Sequence, residues 1–435
     1  MKIKIFITIS FLTLNLMLQA QEVVPISKSD VLAKVSENNT SIKISEEEFK
    51  QARADYRQTN AVFLPNITLS HTAIATNNPL MAFGSKLNQE IVTQNDFNPA
   101  LLNDPGQIEN YATMLEIQQP LINLDGVYQR KAAHSKMEAM SLKTQRTQDY
   151  LAFEVEKAYM QLQLAYKAVK VWEQALKTAQ ANKKMVEDNF KQGYLQRADV
   201  LNMEVRVTEV ENQLQNAKSN VQNASNYVSF LMNDDRFVIY KPSDDLDLNQ
   251  ADVVFDAVPV NRADIKAMAL ASEAYKAMNK ADKMDFLPTL NAFGNYQLYD
   301  DQIFQGDANG YLIGAKLSWD IFKGSKRFGK AQKSHAEYEK SKLEYQQYLS
   351  KSNLELNKAK RAFLDAKNKL GLSALAMQQS EESLRIRKNR FEEGLEKTSD
   401  LLQAETQYAQ KQLEYYQTIF EYNYAQSYLQ FLTKE

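Results

Sequence analysis

The sequence has 435 residues, a formal net charge of -2, 24% charged residues, twelve glycines, nine prolines and no cysteine. The lack of cysteine excludes disulfides, thiol catalysis, zinc thiolate sites and an acylated lipoprotein cysteine, and near-neutral charge without a basic patch gives no sign of a nucleic-acid partner. No proline lies between Pro120 and Pro242 or after Pro288, the distribution expected of long uninterrupted helices.

Lys2 and Lys4 precede an apolar run from Ile5 to Leu18, followed by Leu18-Gln19-Ala20. This charged, apolar, small-residue order predicts a secretory signal peptide over residues 1–20. A membrane anchor is the competing reading, but the run is short for a spanning helix, and no later window of about 18 apolar residues exists. β-barrel strands would escape such a scan because their alternation averages out.

From about Ser27 to Val62 the chain reads as helix closed by Pro65. Phe63-Leu64-Pro65 returns as Phe286-Leu287-Pro288, 223 positions later, and Ser41-Ile42-Lys43 matches Asp264-Ile265-Lys266 at the same offset. After each of these prolines the hydrophobic period changes from helical to two. Strands are predicted at about 66–76, 111–122, 289–299 and 310–322. The clearest places Tyr311, Ile313, Ala315, Leu317, Trp319 and Ile321 on one face. Each strand has roughly ten residues, enough to span a bilayer when tilted. The alternative is a soluble sheet with one wet face. Residues 77–110 form a long loop rich in Asn, Asp and Pro, against a short counterpart near Asp300–Asn309.

Between Gly126 and Gly193 there is neither glycine nor proline. A seam runs Leu151, Val155, Ala158, Leu162, Ala165, Val169, Trp172, Leu176, Ala179, Lys183, Val186 and Phe190, then resumes from Val200 and Met203 to Val228 and Leu231. A shift of 201 positions gives a second pair, Leu356 to Phe391 and Leu401 to Leu432. Such narrow seams predict two coiled-coil hairpins, at 126–232 and 325–433, each with an arm of roughly 100 Å at 1.5 Å per residue. Phe190-Lys191-Gln192-Gly193-Tyr194-Leu195, then Asp199, is matched by Phe391-Glu392-Glu393-Gly394-Leu395, then Asp400; the glycines mark the turns. Between the repeats, residues 233–260 carry Asp234, Asp235, Asp244, Asp245 and Asp247 and read as a solvated linker, without the spacing of a calcium loop.

Four strands from one chain cannot close a barrel, and open edges are not tolerated in lipid, so several chains must share one. At this point the signal peptide, the Phe-Leu-Pro junctions, the Arg262-Ala263-Asp264-Ile265 opening of the second repeat and the doubled Phe-x-x-Gly turns resemble the TolC-like outer-membrane efflux proteins. The resemblance covers essentially the whole mature chain. It implies a mainly α fold with a membrane β-barrel portion. Two tandem repeats of helix, β-hairpin and long helical hairpin (21–232 and 261–435) would give, in a homotrimer, a twelve-stranded barrel continued by an α-helical coiled-coil tunnel. It also implies an exit duct in the outer membrane of a Gram-negative bacterium, with the helical part in the periplasm. Its partners would be outer-membrane lipid, a periplasmic adaptor (membrane fusion protein) and an inner-membrane pump.

The same resemblance makes Gly193, Tyr194, Leu195, Gly394 and Leu395 adaptor-docking tips. It assigns the periplasmic mouth to Asp199, Phe391, Glu396, Asp400 and Gln403. Asp400 matches the first of two mouth aspartates in the family's best-known member, and Gln403 stands where the second would be. Phe391 and Glu396 stand where that member has a tyrosine and an arginine of its closed lock, so the same lock cannot form here. Asp199 and Asp400 also have a bland reading as helix caps. His71, His134 and His335 lack a metal-ligand spacing, no catalytic motif stands out, and no enzyme activity, cofactor or metal is implied. A soluble periplasmic coiled-coil scaffold is the other reading, and it leaves the four alternating strands unexplained.

Overall fold

The computed structural model describes residues 22–249 and 257–435. The expected signal peptide and the middle of the inter-repeat segment lie outside the described residues. The chain divides into two compact units, described separately below. The first comprises residues up to Glu47, Leu142–Lys266 and Gln347–Glu435; the second comprises Glu48–Ser141 and Ala267–Gln346. The fold is mainly α with one four-stranded sheet, built from two like halves.

The first unit is organised by two helical hairpins. Helix α5 (Leu124–Lys191) enters it from residue 142 and returns as α6 (Arg197–Met232); α8 (Lys326–Glu392) enters from residue 347 and returns as α9 (Thr398–Thr433). The seams bury Leu151, Val155, Ala158, Leu162, Ala179 and Val186 on α5, and Val200, Met203, Val210, Val221 and Leu231 on α6. Full burial of each such Val or Leu contributes about 1.5–3 kcal/mol. Phe190 is exposed, and Ala165, Val169, Trp172, Leu176 and Lys183 are only half-buried, so the expected seam is incomplete on α5, where Val171 is buried beside it. On α8 a column of small buried residues, Ser352, Ala359, Ala366, Ser373 and Ser380, recurs at seven-residue intervals. Ser373 and Ser380 donate to the carbonyls of Leu370 and Met377, three residues back, and so remain satisfied in an apolar contact.

The segment read as a solvated linker is partly core. Strand β4 (Ile239–Pro242) pairs in parallel with β1 (Val23–Ile26), and Tyr240 and Leu246 are buried. Its aspartates have protein partners: Asp234 accepts from Arg236 and Tyr240, and Asp245 pairs with Lys167. Helix α1 (Lys28–Asn38) starts at a Ser27–Asp30 capping box and adds Val31 and Val35 to a core with Tyr159, Leu162, Val228 and Met232. Asn39 separates α1 from α2 (Thr40–Gln58), and its buried Nδ2 donates to the Leu231 carbonyl at 2.8 Å.

A buried ion cluster ties the start of helix α7 (Ala263–Met284) to the end of α9. Arg262 donates to both oxygens of Asp264 at 2.7 and 2.9 Å, to Ser352 Oγ and to the Leu432 carbonyl. Tyr348 donates to Asp264, and Arg146 lies 3.5 Å from it while reaching the Phe431 carbonyl. Burial pushes the Asp264 pKa upward, but hydrogen bonds from Arg262 and Tyr348 and the charges of Arg146 and Arg262 outweigh it, leaving the carboxyl below its ordinary value. Burial and the neighbouring Asp264 push the Tyr348 hydroxyl up to about 12.

In the second unit, β2 (Asn66–Thr76), β3 (Ile108–Ile122), β5 (Thr289–Asp300) and β6 (Ala308–Ser318) form an antiparallel sheet in the order β2-β3-β5-β6. The register puts Ile67, Leu69, Leu115, Ile117, Tyr296, Tyr311, Ile313 and Leu317 on one exposed face. Thr68, Thr72, Glu116, Asn291, Asn295 and Gln297 lie on the other. Strand β6 stops at Ser318, short of the expected Trp319 and Ile321, because its partner begins at Thr289 and the preceding Pro288 has no N–H to donate. Leu121 drops out of the alternation at a register shift between Pro120 and Ile122. Among the described residues no helix is long and apolar enough to cross a membrane. The loop over 77–107 is folded, with helices α3 (Pro79–Asn88) and α4 (Pro99–Asn103).

Candidate functional site

The sequence singles out the two hairpin tips, and the first unit brings them together. Each arm ends because a glycine takes a positive φ, +80° at Gly193 and +74° at Gly394, which lets the chain leave the helix without strain. The bonds are local: Gly193 N–H to the Phe190 carbonyl and Tyr194 N–H to Asn189 in one turn, Gly394 to Phe391 and Leu395 to Arg390 in the other. This pair of bonds is the Schellman closure, which satisfies carbonyls a helix end would leave free. Tyr194 is 78% and Leu395 67% exposed, so both project into solvent, whereas Leu195 is half-buried.

Directly behind the tips, Phe391 is only 3% exposed and packs in one cluster with Val186, Val200, Met203 and Leu401. These residues come from both hairpins, so the phenylalanine side chain joins them. Leu195 packs against the same cluster.

The acidic residues divide by environment. Asp199 accepts from the Gln196 N–H at 3.1 Å and therefore caps α6. Asp400, at the equivalent place on α9, lies 3.5 Å from Ser399 Oγ and 4.0 Å from Arg387. Glu396 is well covered and accepts from Arg387 at 3.0 Å and Arg390 at 2.8 Å. Reversing the charge at this position thus makes an acceptor for two arginines of the same hairpin. Gln403 is exposed and lines a groove of about 630 Å³ between α6 and α9, with Asn202, Arg206, Glu209 and Thr406.

The sequence reading missed a polar cluster between the hairpins. Glu405 on α9 is 6% exposed, accepts from Asn182 on α5, and has its second carboxylate oxygen unpartnered. Arg206 on α6 is also buried, with its Nε unpartnered and its guanidinium 3.7 Å from Glu209. Burial raises the Glu405 pKa, against the Asn182 hydrogen bond and the charges of Arg206 and Lys388. The signal was present: Arg206 falls three residues after Met203 and four before Val210, a charge at seam spacing.

The fold matches solved structures over most of its length. The outer membrane channel CmeC of Campylobacter jejuni is 15% identical, with a TM-score of 0.82 over 93% of this chain and 85% of that one. The outer membrane protein VceC of Vibrio cholerae is 18% identical, with a TM-score of 0.76 over 92% and 95%. The open state of the Neisseria gonorrhoeae MtrE outer membrane channel is 16% identical, with a TM-score of 0.73 over 92% and 88%. No curated protein sequence matches. The family model for outer membrane efflux proteins matches residues 31–234 and 255–433, nearly the whole described chain. The chain therefore belongs to the outer membrane efflux protein family.

Proposed function

We propose that this protein is a homotrimer in the outer membrane of a Gram-negative bacterium. It serves as the passive exit duct of a tripartite efflux or type I secretion system. The observation that carries the reading is the four-stranded sheet, whose edge strands β2 and β6 have no further partner among the described residues and whose exposed face is apolar. Unpaired edges cost several kcal/mol per group in lipid, so copies must pair β6 of one with β2 of the next. Three copies supply the twelve strands that the resemblance implies, with Thr68, Asn291 and Asn295 turned to the lumen and Leu69 and Ile313 to lipid. The two repeats, 21–232 and 261–435, joined by 233–260, then place both long hairpins in the periplasm.

In this reading Tyr194, Leu195 and Leu395, presented by Gly193 and Gly394, dock a periplasmic adaptor that couples the duct to an inner-membrane pump. Phe391, Glu396 and Asp400, with Asp199 and Gln403 beside them, form the periplasmic mouth. The exposed, locally closed tips support docking, and the Arg387–Glu396–Arg390 cluster supports a mouth held by ion pairs within one hairpin. The test is native mass spectrometry of protein extracted from outer membranes in detergent. A stable trimer is expected; a monomer recovered from the soluble fraction overturns the duct and leaves a periplasmic scaffold.

A further inference from the structure

We propose that the insert between β2 and β3 is a lid on the outer mouth, packed over the lumenal side of the sheet and meeting the same insert from the other copies. The proposal rests on the shared barrel argued above. The insert lies at the strand ends opposite to those that lead into the helices, since it follows Thr76 and precedes Ile108.

It is a built structure. Asn78 caps α3 through the Met81 N–H, with Pro79 as its first residue. Asp96 accepts from the Thr93 N–H at 2.7 Å, its hydroxyl at 2.8 Å and Lys86 at 2.6 Å, which staples the following turn to α3. Gln89, 5% exposed at the end of α3, donates to the Glu109 carbonyl, Asn110 Oδ1 and the Asp300 carbonyl at 2.9–3.1 Å. One side chain thus fixes the insert to both β3 and β5.

The register says which face is covered. Asn110 stands opposite Ile74 and Ala308 opposite Tyr299, both on the face that carries Asn295 and Gln297. The rest of that face is half-buried or exposed, whereas Ala308 is 2% exposed and Asn110 is buried. Helix α3 contacts both β3 and β6 there, with its own Ala82 buried. It therefore crosses the rim on the polar side.

The packed insert leaves Leu80 82% exposed, together with Met81, Leu87, Phe97 and Leu101. An apolar set on the water-filled side of a barrel needs a cover. Closing β6 onto β2 of the next copy brings the inserts of all copies to one mouth, so the occupant is the equivalent surface of its neighbours. The β5–β6 turn, Asp301 to Asp307, lies instead on the other face, where Phe304 stacks on His71 with ring centroids 4.5 Å apart.

The chain lacks cysteine, so Leu80→Cys introduces a single thiol at an exposed site. The full-length variant, assembled in outer membranes, is treated with a short bismaleimide and then run on a denaturing gel. Covalent dimers are expected, with a lowered single-channel conductance in planar bilayers. Replacing residues 79–104 by a short Gly-Ser linker raises conductance several-fold. The control Ile313→Cys, on the apolar face, gives no cross-link. A trimer by native mass spectrometry that neither cross-links at position 80 nor changes conductance on deletion overturns the lid and spares the duct. Quenching of a position-80 fluorophore by lipid-borne quenchers also overturns it, because the insert would then face lipid. Loss of the trimer itself overturns the shared barrel.

Discussion

Phe391 is where the mouth proposal is most exposed to measurement. Its ring is 3% exposed among Val186 and Met203 of the first hairpin and Leu401 of its own. Truncating a buried phenylalanine to alanine costs about 3–5 kcal/mol, since the lost transfer energy adds to an unfilled cavity. If opening the mouth separates the two tips, that cost falls on the closed state alone. At about 1.4 kcal/mol per decade, Phe391→Ala then shifts the closed-to-open ratio by about two to three and a half orders of magnitude. Single-channel recording of the reconstituted protein reads this as a large rise in open probability. Hydrogen exchange reads it as faster exchange near residues 185–203, with the sheet unchanged. An open probability equal to wild type, with a lowered melting temperature, would refute the reasoning and make the cluster ordinary core.

Two further outcomes follow from the buried charges. Asp264→Asn leaves Arg262 and Arg146 without their carboxylate, and breaking such a buried pair costs about 3–5 kcal/mol. Because the same arginines hold the Leu432 and Phe431 carbonyls, the end of α9 should lose exchange protection first. A melting temperature within error of wild type would count against the cluster as an anchor. Glu405 has a folded pKa above its ordinary 4.5, so between those values the folded state binds more protons. Stability therefore rises as pH falls from above the raised pKa towards 4.5, and Glu405→Gln should flatten this limb of a melting-temperature profile. A wild-type profile already flat over that range would sink the assignment.

How much was legible in the sequence depends on the length of each pattern. The four strands of the sheet repeat a period of two for about ten residues, and the face that carries Leu69 and Ile313 is apolar although uncovered within one chain, so the pattern is strong. Strands β1 and β4 have four residues each and pair across more than two hundred positions, too little for a period to register. The aspartates of 233–247 read as solvent-facing because sequence alone does not reveal that Arg236, Tyr240 and Lys167 come to meet them. At the tips, the glycines and Asp199 were legible from turn and cap chemistry. The clasp of Arg387 and Arg390 on Glu396 was not, because those contacts cross the turn at separations of nine and six residues, outside any helical spacing. Residues 77–110 read as a loop, although Asn78-Pro79 and Asn98-Pro99, each a cap followed by a first-turn proline, carry a signal for the two helices found there.

The backbone bonds that close both tip turns lie within six consecutive residues, and a Cβ built on either glycine would meet nothing within 4 Å. Their backbone shape therefore asks nothing of the rest of the molecule beyond a glycine. Such a loop is a cassette: its exposed side chains, Tyr194 and Leu395, are free to drift, while Leu195 and Glu396 keep it tied to the seam behind. If a partner docks there, as proposed above, its choice can evolve at a handful of positions without a new fold having to be found each time.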